Sequence, residues 1–214
     1  MRKYKFVIFD WDGCLAKTPD LLLKAFKKVL LGQGLFFQDE QIVKYMFGNW
    51  IGGLKYWGVE DPMGTIDRIK AELEEAKLEL ELYPGVTQTL SRLKKRGKIL
   101  GLISTGYAKE VLPYLKKTGI DKYLSKVITG ETFTWKKPDK RILEEAILGL
   151  KGRKADTLWV GNSMNDFVMG KAAKVETLIF YPQENQKFGD NKLLDQEVGV
   201  RVITDFKQIL RIAT

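Results

Sequence analysis

The chain has 214 residues, of which 44% are hydrophobic and 29% charged, a composition typical of a soluble globular protein with one domain, or with a core domain carrying a smaller insert. Its single cysteine excludes an internal disulfide framework, and the absence of histidine excludes histidine triads and histidine-ligated metals. The net charge of +9 would suit nucleic acid, but the Lys and Arg residues are dispersed along the chain, so we do not expect a nucleic-acid partner.

The sequence contains no apolar stretch near the roughly 20 residues that a membrane-spanning helix needs. The apolar run at the start of the chain is short and leads directly into acidic residues, which is not the pattern of a signal peptide. A single cysteine also fits a reducing compartment. We therefore expect a cytoplasmic protein with no membrane partner.

Short apolar runs, most of them followed by turn-forming residues, predict buried strands. In chain order these runs are Lys5–Phe9, Ile99–Ile103, Thr157–Val160, Thr177–Phe180 and Arg201–Ile203. Amphipathic patterns between and after them predict helices over Val86–Arg96, Lys109–Lys117, Asp139–Leu150, Ser163–Ala173 and Phe206–Ile212. Apolar strands that alternate with helices predict an α/β fold, a Rossmann-like parallel sheet with helices on both faces.

The interval between the first two predicted strands breaks this alternation. Helical patterns cover Leu21–Leu31, Gln41–Phe47 and Met63–Leu82, the last of them after the N-cap and first-turn pair Asp61-Pro62. We predict a small all-helical cap domain over residues 18–83, inserted into a core domain of residues 1–17 and 84–214. An insert placed directly after the first strand would lie over the crevice where open α/β sheets bind ligands, so we expect a lid.

Aromatic residues are frequent in the predicted cap, where they are interleaved with Lys44 and Lys55. They are Tyr45, Phe47, Trp50, Tyr56 and Trp57. Rings that face the crevice would suit a substrate with an apolar or ring-bearing leaving group. The interpretation that we favour is that these rings pack the cap's own small core.

Asp10 and Asp12 follow the first predicted strand and are separated only by Trp11. Side chains alternate along an extended chain, so the two carboxylates would share a face, and Gly13 permits a sharp turn with exposed amide donors. A carboxylate at this point can attack phosphorus and form an aspartyl-phosphate if a divalent cation offsets the charge repulsion. The alternative is an Asx turn with structural aspartates.

Polar residues also follow other predicted strands or precede helices. Ser104 follows the second strand, where its hydroxyl would bind a phosphate oxygen or only cap a helix. Lys137 precedes a predicted helix and either neutralises a phosphoryl oxygen or is solvated at the surface. Asn162 and Asp166 follow the strand Thr157–Val160, and their oxygens suit Mg²⁺, although Asp166 would also serve as a first-turn acid favoured by the helix dipole.

In this order along the chain, these segments resemble the motifs of the haloacid dehalogenase superfamily, in its phosphatase branch with a helical cap between the first two motifs. Phe9–Gly13 (FDWDG) resembles the DxD loop, Gly161–Asp166 (GNSMND) resembles the acidic fourth motif, and Ser104 and Lys137 match the second and third motifs. The resemblance implies that Asp10 is the nucleophile and Asp12 the general acid/base. It also implies that phosphate is bound by Ser104, Thr105 and Lys137, and that Mg²⁺ is ligated by Asp10, Asp12, Asn162 and Asp166.

One residue departs from the family pattern, because Asn162 stands where the family usually has an aspartate that ligates Mg²⁺ directly. An amide oxygen coordinates a hard cation but brings no negative charge. Either Mg²⁺ is bound more weakly, or Asp166 is the direct ligand, or Glu131 contributes. A second ambiguity is that Lys136 as well as Lys137 adjoins Pro138, so either lysine is a candidate for the phosphate contact.

The resemblance implies a magnesium-dependent phosphatase that hydrolyses a small-molecule phosphate monoester through an aspartyl-phosphate, with a small phosphorylated metabolite as its substrate. A phosphomutase acting on a sugar phosphate would use the same residues and would differ in shielding the phosphoenzyme from water. A weakly active or non-catalytic binding protein with this fold is a further alternative, because Asn162 lacks charge. A dehalogenase needs no second aspartate, so Asp12 argues against that reaction.

Overall fold

The computed structural model describes residues 4–47, 49–76, 79–188 and 199–213. Its contacts divide the chain into two compact units. The first comprises Met1–Ala16, Leu82–Gln183 and Asp190–Thr214, and the second comprises Lys17–Glu81 and Glu184–Gly189. The second unit therefore includes a short segment after Gln183 that the sequence-based boundaries assign to the core domain.

The first unit is built on a parallel sheet, in which the structure describes six strands in the order β3-β2-β1-β4-β5-β6. The strands are β1 (Phe6–Asp10), β2 (Ile99–Ile103), β3 (Leu124–Ile128), β4 (Thr157–Gly161), β5 (Glu176–Phe180) and β6 (Val202–Ile203). The helices of the described chain are α1 (Thr18–Gly32), α2 (Asp39–Met46), α3 (Trp50–Tyr56), α4 (Pro62–Ala76), α5 (Val86–Lys95), α6 (Ala108–Lys117), α7 (Lys140–Gly149), α8 (Met164–Ala173) and α9 (Ile209–Ile212).

Side chains of alternate strand residues point to opposite faces of the sheet, and both faces are covered by other elements. On one face, Phe6 and Ile8 of β1 and Trp159 of β4 form a buried cluster with side chains of α7 and α8. On the other face, the ring of Phe9 lies 5.8 Å from that of Phe206, in the short 3₁₀ turn before α9. The predicted α/β fold with helices on both faces of a parallel sheet is thus confirmed.

Two elements were missed by the sequence patterns, β3 and α3. β3 is an edge strand, and its exposed residues Ser125 and Lys126 interrupt the apolar run that predicts a strand. α3 contains Gly52 and Gly53, which weaken a helical pattern, but Asn49 stabilises its start because Asn49 Oδ1 accepts the N–H of Gly52 at 3.0 Å.

The predicted helix Met63–Leu82 is too long. α4 begins at Pro62, as predicted, with Asp61 Oδ1 accepting the N–H of Gly64 at 2.9 Å, and it ends at Ala76. Residues 77 and 78 lie outside the described part of the chain, and Leu82 forms an antiparallel bridge with Ala16. This extended pairing with the chain after β1 competes with the helix.

The second unit has its own hydrophobic core, formed by helices α1 to α4. Leu23, Phe26 and Leu30 of α1 recur at helical spacing and are buried together with Ile66 and Ile69 of α4. No described helix of the chain is long and apolar enough to cross a bilayer.

The favoured interpretation of the cap aromatics is confirmed for three of the five. Phe47, Trp50 and Trp57 pack against the core cluster of the second unit, and the ring of Trp50 lies edge-on to Phe26 at 5.1 Å. Tyr45 stacks on Tyr56 with ring centroids 4.4 Å apart, and Tyr56 is 68% exposed. Most of the aromatic pattern therefore reflects packing.

The stability of the first unit should depend on its buried leucines. We expect Leu90→Ala on α5, where the side chain is fully buried, to lower the free energy of unfolding by about 2–5 kcal/mol, because it removes apolar contacts and leaves a cavity. The same substitution at Leu148 on α7, which is 76% exposed, should change it by less than about 0.5 kcal/mol. Urea denaturation of both variants measures the difference, and equal losses would contradict this account of the core.

Candidate active site

Asp10 is the last residue of β1, and the alternation of the strand places its side chain on the same face as Ile8, toward α7 and α8. Asp10 is 5% exposed. The loop that follows is compact, since the carbonyl of Trp11 accepts the N–H groups of Leu15 and Ala16, both at 3.0 Å. Gly13 in this loop has a φ of 72°, which favours glycine.

Ser104 and Asp12 meet at the ends of neighbouring strands. Ser104 is fully buried and its N–H donates to the carbonyl of Ile128 at 2.9 Å. Its hydroxyl accepts the N–H of Gly106 at 3.0 Å and lies 3.5 Å from Asp12 Oδ2. Ser104 does not cap α6, which begins four residues later. Thr105 is exposed on the loop between them.

Lys137 lies between two buried carboxylates. Its ammonium contacts Asp10 Oδ1 and is 2.8 Å from Asp166 Oδ1, and its side chain is only 11% exposed. The neighbouring Lys136 is exposed. Of the two lysines beside Pro138, Lys137 is therefore the one that reaches the aspartates.

The start of α8 holds Asp166 in a fixed orientation. Ser163 is the N-cap of the helix, and Asp166, three residues later, is 1% exposed. Asp166 Oδ2 accepts the N–H groups of Asn162 and Ser163, both at 3.1 Å, and the hydroxyl of Ser163 at 2.6 Å. Gly161 provides the room, because a Cβ there would lie 2.3 Å from that of Asp166.

The ionisation of these groups is strongly perturbed. The pKa of Asp10 is raised to about 8 because burial removes its carboxylate from water; Lys137 opposes this shift, and Asp166 and Asp12 add to it. Burial would raise the pKa of Asp166 too, but Lys137 and the hydrogen bonds from Ser163 and Asn162 outweigh it and hold that pKa below its usual value. Burial would lower the pKa of Lys137, yet the two carboxylates raise it. Two buried carboxyl groups thus share the single ammonium of Lys137.

The candidate metal ligands present carboxylate and amide oxygens. No group of three or more Asp, Glu or Cys side chains suited to a metal occurs among the residues that the structure describes. The carboxylate of Glu131 lies at the N-terminus of α6, where its Oε1 accepts the N–H of Ala108 at 2.8 Å. The pKa of Glu131 is accordingly lowered by hydrogen bonds from its own N–H and that of Ala108. Glu131 is thus engaged at the start of α6, whereas the carboxylates in contact with Lys137 are those of Asp10 and Asp166.

The structure brings together most of the residues that the motifs singled out. Asp10, Lys137 and Asp166 are in direct contact, Ser104 approaches Asp12, and Asn162 joins the group through its backbone N–H. Sequence reasoning missed two other residues that contact Asp166. The hydroxyl of Ser163 donates to its carboxylate, and the indole N–H of Trp159 donates to its backbone carbonyl. The spacing Ser163-x-x-Asp166 is a capping-box pattern that would have indicated the first, whereas Trp159 looks like any other residue of an apolar strand.

Comparison with known proteins identifies the family. The chain matches the family model of haloacid dehalogenase-like hydrolases over residues 7–180, which is more than half of its length. The chain belongs to the haloacid dehalogenase-like hydrolase family. The resemblance inferred from the motifs is confirmed.

Among the relatives of this haloacid dehalogenase-like hydrolase, the pyrophosphatase PpaX of Oceanobacillus iheyensis is 29% identical over 181 residues, which are 80% of each chain. Phosphoglycolate phosphatase 1 of Pseudomonas aeruginosa is 31% identical over 185 residues, which are 80% of this chain and 67% of the relative. A haloacid dehalogenase-like hydrolase of Bacteroides fragilis with a solved structure is 26% identical and has a TM-score of 0.77, over 97% of this chain and 100% of the other.

These findings place the enzyme among the phosphatases of the family. Its reaction class is the hydrolysis of phosphoric monoesters. Phosphatases of the haloacid dehalogenase type generally use Mg²⁺, and the homologous phosphatases act on small phosphorylated substrates.

The N-cap residue of α8, Ser163, should contribute measurably to the stability of this haloacid dehalogenase-like hydrolase. We expect Ser163→Ala to lower the free energy of unfolding by about 0.5–2 kcal/mol, because α8 loses its N-cap and Asp166 loses the hydroxyl donor at 2.6 Å. Ser163→Thr should retain most of this energy. Thermal unfolding compares both variants with Ser125→Ala on the exposed edge strand, and a loss at Ser163 no larger than at Ser125 would contradict the capping role.

Proposed function

We propose that the protein is a magnesium-dependent phosphatase that hydrolyses a small phosphate monoester through an aspartyl-phosphate on Asp10. The observation that carries this proposal is the contact of the Lys137 ammonium with both Asp10, at the end of β1, and Asp166, in the first turn of the helix that follows β4. A cation bound to two buried carboxylates at the carboxyl edge of a parallel sheet suits a site for an anionic group.

Asp10 is the proposed nucleophile. Its carboxylate oxygen attacks phosphorus in line, so that a bond from Asp10 to phosphorus forms while the bond from phosphorus to the leaving oxygen breaks. Lys137 and the hydroxyl of Ser104 are proposed to hold equatorial oxygens of the transferred group, together with backbone N–H groups near Thr105. Burial of Asp10 and Ser104 supports these roles, because water then competes less for the same contacts.

Asp12 is the proposed general acid/base. It donates a proton to the leaving alkoxide, and it then takes a proton from the water that attacks phosphorus and releases Asp10. The carboxylate of Asp12 is half-buried and lies 3.5 Å from the hydroxyl of Ser104, beside the proposed phosphate position. This step distinguishes a phosphatase from a phosphomutase, in which water is excluded from the phosphoenzyme.

The donors of the site fit Mg²⁺. This cation commonly uses one or two carboxylates, with waters and substrate phosphate as its other ligands. The proposed ligands are the carboxylate of Asp10, the backbone carbonyl of Asp12, and oxygens of Asn162 and Asp166. Asp10 and Asp166 offer two carboxyl groups to the single ammonium of Lys137, which supports a site that takes a further cation. When bound, Mg²⁺ would neutralise phosphoryl oxygens and reduce their repulsion of Asp10.

The identity of the substrate is narrowed only to its class. The named relatives act on pyrophosphate and phosphoglycolate, so we propose a small phosphorylated metabolite. A panel of phosphate monoesters assayed with and without Mg²⁺ would identify the preferred substrate.

We also propose that residues 18–83 form the cap domain, inserted in a core of residues 1–17 and 84–214.

Removal of the nucleophile tests the proposed function directly. Asp10→Asn should reduce turnover by on the order of a thousandfold or more, because an amide does not attack phosphorus, while the fold survives. Asp67→Asn on α4 is the matched control, since Asp67 is exposed and should leave turnover unchanged. Phosphate release from the preferred ester measures both. Full activity in Asp10→Asn would refute the mechanism.

A second prediction concerns Asn162. Asn162→Asp should lower the half-saturating Mg²⁺ concentration by about tenfold if residue 162 is a direct ligand, because it adds a negative charge next to the cation. Asn165→Asp is the matched control, because Asn165 is exposed on the first turn of α8 and adds the same charge without being a candidate ligand. Activity titrated against Mg²⁺ gives the result. An unchanged or higher half-saturating concentration in Asn162→Asp would show that residue 162 is not a direct ligand and would leave Asp166 or Glu131 to hold the metal.

A further inference from the structure

Trp159 occupies the middle of β4, directly beneath the group formed by Lys137, Asp10 and Asp166. It is fully buried and is paired in the sheet with Ile8, two residues before Asp10. Its indole N–H donates to the backbone carbonyl of Asp166 at 3.1 Å, and its ring centroid is 5.1 Å from the ammonium of Lys137. One side chain therefore contacts two members of the site in different ways.

We propose that Trp159 is a positioning residue for the phosphate site. Its ring face supports the ammonium of Lys137, and its N–H ties down the first turn of α8, which carries Asp166. An ammonium over the face of Trp is attracted by the ring, and the attraction is larger when the pair is desolvated, as it is here. The part of this proposal that concerns phosphate rests on the proposed function, and the part that concerns Lys137 does not.

The ring completes the surroundings of Lys137. Asp10 and Asp166 contact the ammonium through their carboxylate oxygens, and the ammonium also lies over an aromatic surface. The indole provides that surface, because it projects from the strand next to β1 on the face where α7 and α8 pack. A smaller side chain at residue 159 would leave the ammonium without this support.

Local packing also fixes the ring itself. A Cβ at Gly170 on α8 would lie 1.9 Å from Thr177 Oγ1 of β5 and 3.2 Å from Trp159 Cδ1 of β4, so this glycine lets α8 pack closely against both strands. Gly161, two residues further along β4, makes similar room for Asp166. The glycines let α8 approach the sheet, and this approach brings the carbonyl of Asp166 within reach of the indole N–H.

A purely structural role for Trp159 in the core predicts a different result from a positioning role. Loss of core packing lowers stability and leaves the kinetic constants of the folded fraction unchanged. Loss of positioning changes phosphate affinity in the protein that remains folded. Leu143→Ala provides the matched control, because Leu143 of α7 is buried in the same cluster and carries neither a ring nor an N–H group that could position Lys137 or Asp166.

The first experiment measures affinity for inorganic phosphate in the Mg²⁺-loaded protein by calorimetry, and KM and kcat for the preferred ester, at a temperature where each variant is folded. We expect Trp159→Leu to weaken phosphate binding and raise KM by about tenfold, and Trp159→Phe, which keeps a ring, to do so by less than about threefold. Leu143→Ala should leave both constants unchanged. Equal effects of Leu and Phe, or an effect of Leu143→Ala as large as theirs, would overturn the proposal.

The second experiment does not depend on enzymatic activity. Two double-mutant cycles, measured by urea unfolding, isolate the coupling between the ring and the ammonium. One combines Trp159→Leu with Lys137→Met, and the other combines Trp159→Phe with Lys137→Met. For Trp159→Leu with Lys137→Met, we expect the unfolding constants to be non-additive by about fivefold, and for Trp159→Phe by less. Additive effects in both cycles would refute the contact as a source of positioning. If the wild type releases no phosphate but the cycle shows coupling, the proposed function fails and the positioning of Lys137 stands.

Discussion

The ammonium of Lys137, held between the carboxylates of Asp10 and Asp166, is the interaction on which the site depends. Charged groups that are nearly excluded from water are stable only when they are paired and hydrogen-bonded, and here each carboxylate has the same cation as its partner. Removing the charge of Lys137 would leave both carboxylates uncompensated in a buried place. The arrangement therefore holds three separate segments of the chain together through one shared cation.

The fold is what brings these three groups to one point. Asp10 shares its face of β1 with Ile8, and that face is covered by α7 and α8. Lys137 lies three residues before the start of α7, and Asp166 lies in the first turn of α8, so both reach the carboxyl end of β1 from the segments where these helices begin. A one-residue shift of β1 would move Asp10 to the opposite face, toward Phe206 and away from Lys137.

How far the sequence predicts this structure depends on whether a feature is local or spatial. The buried strands were found because their apolar runs are continuous, and β3 was missed because an edge strand tolerates Ser125 and Lys126. Asp10, Ser104, Lys137 and Asp166 were found because each stands at the end of a recognisable element. The choice between Lys136 and Lys137 was not available from sequence, since it depends on which side chain turns inward. Trp159 was missed for the same reason, because its proposed role comes from its contacts with Lys137 and with the carbonyl of Asp166, which are distant or hidden in the sequence pattern.

The hydrogen bonds of Asp166 give physical meaning to the amide at residue 162. Asp166 Oδ2 already accepts three donors and Oδ1 accepts Lys137, so this carboxylate is committed to ordering the site as well as to any cation. An aspartate at residue 162 would add a further negative charge beside it, which strengthens the attraction of a divalent cation and also strengthens the repulsion of a phosphate dianion. An asparagine supplies an oxygen ligand without that repulsion. We infer that the neutral Asn162 lowers the affinity of the site for the metal and raises its affinity for the anion. Lys137 is the fixed positive charge of the site in either case.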